Sequence, residues 1–72
     1  MLRDIPAIEI LGTVFQDFDQ GQTVEMLIDD AYQPEGGDHF RWSCAQFIGT
    51  AEIVACGDSS NGSVRCWVKK IS

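Results

Sequence analysis

The sequence predicts a mainly β fold, a small five-stranded antiparallel barrel of SH3-like or OB-like type. Three observations carry this. Short β-rich runs recur along the chain, turn residues punctuate them, and 72 residues leave room for one small core. Residues 1–72 are therefore read as a single domain without internal repeat or linker.

The first run is "IEILGTVF" (8–15), a strand with Gly12 as a bulge or bend. The next segment, "DQGQTVEMLIDDAY" (19–32), carries two periods. At period two, Val24, Met26 and Ile28 face the core while Glu25 and Asp29 face out. At period 3.6, Val24, Leu27, Ile28 and Ala31 form an apolar stripe with Asp19 or Thr23 as N-cap. Asp29 and Asp30 would then oppose the macrodipole at the helix C-terminus, which tips the reading to a strand. The alternative is an α+β fold, a four-stranded antiparallel sheet with one helix at 23–32. Pro34 and Gly36-Gly37 make "AYQPEGGD" a loop.

"HFRWSCAQFI" (39–48) alternates, with Phe40, Trp42, Cys44 and Ile48 on one side and Arg41, Ser43 and Ala45 on the other. Gly49 separates it from "TAEIVACG", and "DSSNGS" joins that run to "SVRCWVKKI" as a hairpin. A two-residue turn at Asn61-Gly62 sets Cys56 opposite Trp67, Val54 opposite Lys69 and Asp58 opposite Arg65. It also gathers Ile53, Ala55, Val64, Cys66 and Val68 on one face. A three-residue loop would instead set Cys56 opposite Cys66. Asn-Gly favours the two-residue turn, so the cysteines are expected to be diagonal and unbonded.

Cys44, Cys56 and Cys66 with His39 give four candidate zinc ligands, but none stand in the close pairs that structural zinc sites use. His39 is the only histidine, and alternation turns it away from Cys44, so no base activates that thiol. The acids of "DFDQGQTVE" (17–25) begin like a calcium loop but lack its length and third acid. No metal, cofactor or catalytic residue is expected, and the three thiols read as buried apolar positions. An odd cysteine count and a start, "MLRDIPAIEIL", unlike a secretory signal point to the cytosol. No run approaches the ~18 apolar residues of a membrane span.

Charge is the remaining clue. Residues 1–38 hold nine acids against Arg3, while residues 39–72 hold four bases against Glu52 and Asp58. Net charges of −8 and +2 follow, for −6 overall. Asp17, Asp19, Glu25, Asp29, Asp30, Glu35 and Asp38 are thereby the candidate binding face, fitted to a basic, nucleic-acid-binding protein. In size and charge alone the chain resembles small phage-encoded inhibitors that mimic nucleic acid. The expectation is a small, non-enzymatic inhibitor or binding protein, because so short a chain has no room for an enclosed active site.

Two other functions compete. Arg65, Trp67 and Lys69 share a strand face, and with Lys70 and Arg41 they form a patch for single-stranded nucleic acid. The global acidity opposes it. The third reading is an oligomeric barrel with a ligand site at a subunit interface; an edge strand and an exposed Trp67 favour a homodimer.

Overall fold

Among the described residues, five strands form one sheet in the order β1-β3-β4-β5-β2, curled into a half-barrel with one short helix against it. The computed structural model describes residues 8–72. The elements are β1 (Ile8–Glu9), α1 (Gly12–Asp19), β2 (Val24–Asp29), a 3₁₀ turn (Asp30–Tyr32), β3 (His39–Cys44), β4 (Phe47–Ser60) and β5 (Ser63–Lys70). The mainly β, small-barrel expectation holds. Four strands pair antiparallel; only the short β1 runs parallel to β3, which makes the sheet mixed.

The run 8–15 is not one strand. Pairing stops at Glu9, Ile10 adds one backbone bond to Ser43, and α1 begins at Gly12. Leu11, Val14, Phe15 and Phe18 repeat at i, i+3, i+4 and i+7, a helical stripe that outweighs the alternation of Ile8 and Ile10. Phe18 is fully buried and meets Trp42 edge-on at 5.2 Å, with Phe15 5.8 Å from the same ring. Burial of one such side chain contributes about 1.5–3 kcal/mol. The helix ends in a Schellman motif: Gly21, at φ 88°, donates to Phe18 O, and Gln22 donates to Asp17 O.

Segment 24–29 is a strand, and the alternative helix over 23–32 does not form; only Asp30–Tyr32 make a 3₁₀ turn. Val24 and Ile28 are buried, Met26 is half-buried, and Glu25, Leu27 and Asp29 face out. A helix there would have buried Leu27, which is 64% exposed.

β3 ends earlier than the alternation implied. Cys44 pairs with Phe47 across a turn at Ala45-Gln46, with Ala45 at φ 52°. Gly49 thus lies inside β4, not between strands. The turn reverses the alternation, so Ile48 sits opposite Ser43 on the outer face, 80% exposed, not beside Phe40 and Trp42. At Gly49 an added Cβ would collide with the Ser72 carbonyl oxygen and stand 2.7 Å from Trp42 Nε1. That contact seats the terminal residues: Trp42 Nε1 and the Thr50 amide both donate to Ser72 O.

The β4–β5 hairpin turns at Asn61-Gly62 as expected, with φ 53° and 81°, and Ser60 faces Ser63. The expected register does not survive beyond Ser59. Between the Ser59↔Val64 and Cys56↔Cys66 pairs, Gly57 and Asp58 oppose Arg65 alone, a β-bulge that moves the register by one residue. A second irregularity at Val54 moves it again, giving Ile53↔Val68 and Glu52↔Lys69. Cys56 therefore faces Cys66, not Trp67, and neither Val54↔Lys69 nor Asp58↔Arg65 forms. Of the face expected to gather in this hairpin, Ile53, Cys66 and Val68 are buried, Val64 is half-buried and Ala55 is exposed. Trp67 packs on the first bulge. Its ring lies over Gly57, where a Cβ would sit 3.1 Å from Cζ3, a tight contact that the ring would have to give way to by a few tenths of an ångström.

The core is Ile10, Phe18, Val24, Ile28, Phe40, Trp42, Ala51, Ile53, Cys66 and Val68. β1 and β2 are the two sheet edges, and an apolar groove of about 400 Å³ runs between them, lined by Ile8, Ile10, Leu11, Val14, Val24 and Met26. Among the described residues, no helix is long and apolar enough to cross a membrane.

Candidate protein-binding face

The acidic residues are distributed by β2. At its start stand Asp17 and Asp19, in the last turn of α1. Glu25 lies on its outer face opposite Trp67. Asp29 and Asp30 stand at its far end, about 17 Å from Val24 at strand rise. Asp29 Oδ1 accepts from the Ala31 amide, and the Asp30 amide donates to Gly62 O in the hairpin turn. The chain then runs through Glu35 and Asp38 along β4: Gly37 donates to Ile53 O, and Ile53 donates to Asp38 O. Asp38 Oδ2 accepts from the Glu35 amide, which fixes both acids in one turn. Asp29, Asp30, Glu35 and Asp38 are thus joined by one short stretch of chain, and Asp17 and Asp19 form a second group at the opposite end of β2.

The bases behave differently. Arg65 Nε is 3.4 Å from Glu25, Lys69 Nζ 3.9 Å from Glu52, and Lys70 Nζ 2.7 Å from Asp19. Arg65, Trp67 and Lys69 do share the outer face of β5, as alternation requires. Arg65 and Lys69 are each opposed there by a carboxylate of this chain. Lys70 points to the other side, where it also lies 5.9 Å from the Trp42 ring centroid. Arg41 is exposed on β3 with Trp42 turned inward, so they present no joint stacking surface. The five residues read as a nucleic-acid patch are therefore split over both sheet faces, and three of them are paired with carboxylates on β2, β4 and α1.

The cysteines form the other chemical feature. Cys44, Cys56 and Cys66 are all free thiols. The bulge brings Cys56 Sγ to 3.4 Å from Cys66 Sγ, and Cys56 Sγ donates to the Pro34 carbonyl at 3.3 Å. Cys66 is fully buried and Cys56 half-buried. Burial first, then the hydrogen bond and charge interaction with Cys56, push the Cys66 thiol up to about 12. Among the described residues no three His, Cys, Asp or Glu side chains converge as metal ligands. His39 faces Glu52 across β3 and β4, away from the thiol pair.

Comparison of the chain with protein-family models, with curated proteins and with solved structures found no match.

Proposed function

We propose that this protein is a non-enzymatic binding module, of inhibitor type, that presents its acidic surface to a basic protein partner in the cytosol. One observation supports the reading above all: Arg65, Lys69 and Lys70 are each matched by a carboxylate of the same chain, while Asp29, Asp30 and Glu35 remain exposed at one end of the half-barrel. With these three bases matched internally, the chain's excess of acid, −6 overall, dominates the outward field. Such a surface attracts the positively charged groove of a nucleic-acid-binding protein and repels nucleic acid itself.

The test has two arms. The immobilised chain is used to capture partners from its own cell lysate, with an Asp29→Asn/Asp30→Asn variant in parallel; asparagine keeps the acceptor that Asp29 offers Ala31. The reading predicts a basic partner that the variant retains poorly. In the second arm, single-stranded oligonucleotide is titrated at low salt while tryptophan fluorescence is followed. Quenching of the unmodified chain, with no basic protein captured, would replace this reading with nucleic-acid binding.

A further inference from the structure

We infer that Cys56 and Cys66 are a reversible modification site, a dithiol that a low-molecular-weight disulfide oxidises to an intramolecular cystine. The inference is independent of the acidic surface. It rests on placement: the two residues are directly paired across β4 and β5, their sulfurs are 3.4 Å apart, and the bulge at Gly57-Asp58 is what sets them there. Cross-strand partners already in contact need only a small closure to reach bonding distance. In the uninterrupted register of the Asn61-Gly62 turn, Cys56 would face Trp67 and no such pair would exist.

The difference in burial assigns the roles. Cys56 is half-buried and meets the reagent; Cys66 is fully buried, its Sγ lying beside Cys56 Sγ and donating to the Val64 carbonyl at 3.6 Å, so Cys56 is the sulfur it can attack. The Cys56 thiol loses its proton, and the thiolate attacks one sulfur of the disulfide R–S–S–R. A Cys56–S–S–R bond forms and R–S⁻ leaves, taking up the proton. Cys66 then loses its proton and attacks Cys56 Sγ, expelling the second R–S⁻, which is protonated in turn. The pair gives up two electrons and two protons, and the reagent is reduced to two R–SH. The reaction also consumes the S–H that donates to the Pro34 carbonyl. Cys44, on β3, has no part in it.

The native chain is incubated with oxidised glutathione and mapped by peptide mass spectrometry. The expected main product is a peptide linked through Cys56 and Cys66, with Cys44 outside the crosslink and the dithiol restored by dithiothreitol. In Cys66→Ala, which keeps the buried position apolar, glutathione should stay on Cys56 because no second thiol expels it. In urea the crosslink should compete with mixed disulfide at least roughly tenfold less well, since the folded pair is pre-positioned. A stable glutathione adduct on Cys56 of the unmodified chain, no reaction there, a crosslink through Cys44, or equal yields folded and unfolded would each overturn the inference.

Discussion

Lys70 Nζ stands 2.7 Å from Asp19 Oδ1, joining the end of β5 to the last turn of α1. It serves two purposes at once. A cation beside the helix C-terminus offsets the macrodipole, which Asp17 and Asp19 otherwise oppose. The same contact withdraws a lysine from the basic half of the chain, as Glu25 and Glu52 do for Arg65 and Lys69.

If these carboxylates mask the bases, removing them should create nucleic-acid binding. The variant Asp19→Asn/Glu25→Gln/Glu52→Gln is expected to bind single-stranded oligonucleotide at low salt, seen as tryptophan quenching that disappears as salt rises. The unmodified chain should show none. Each exposed pair is worth at most about 1 kcal/mol, so the variant should still fold. Equal quenching by both proteins would mean that the pairs do not mask the patch.

The β3–β4 hairpin makes opposite predictions four residues apart. Ala45 holds φ 52°, which costs a residue with a Cβ about 1–2 kcal/mol. Ala45→Gly is therefore expected to stabilise the protein by about 0.5–1 kcal/mol in urea unfolding. Gly49→Ala should destabilise it by roughly 1–3 kcal/mol, because the new methyl strikes the Ser72 carbonyl and the Trp42 ring. A destabilised Ala45→Gly would mean that the turn is not left-handed there.

These two positions also show what was legible in the sequence. Asn61-Gly62 announced its turn because both residues tolerate positive φ, and the turn is there. Ala45-Gln46 announced nothing, since alanine is a poor turn residue, whereas Gly49 four residues on carries the stronger turn signal. The alternation of β2 placed Val24 and Ile28 inside correctly. The α1 stripe at Leu11, Val14, Phe15 and Phe18 was present in the sequence but overlapped the alternation before it. The facing cysteines escaped the preferred reading because Asn61-Gly62 fixes the register only as far as the bulge at Gly57-Asp58, which the turn dipeptide does not announce. Seven acids were readable as a group, whereas their division between the two ends of β2 needed the fold.

Cys66 gives the stability a defined alkaline limit. Its thiol pKa is raised from 9.0 to about 12, so between those values the unfolded chain releases a proton that the folded chain keeps. The unfolded state then binds fewer protons, and stability falls as pH rises through that window, while below pH 9 the contribution is fully present. Urea midpoints measured across the window should fall more steeply for the unmodified chain than for Cys66→Ala. A thiol reagent should correspondingly modify Cys56 before Cys66 in the folded protein. Parallel slopes for the two proteins would contradict the assignment.

On the proposed reading, the exposed acidic end of the half-barrel does the binding. It is tested most directly by the affinity for the captured basic partner, measured against salt for the unmodified chain and Asp29→Asn/Asp30→Asn. Electrostatic association should weaken steeply from low to high salt, and the variant should bind about tenfold or more weakly at low salt with a shallower dependence. An affinity indifferent to salt, and equal in the two proteins, would contradict it.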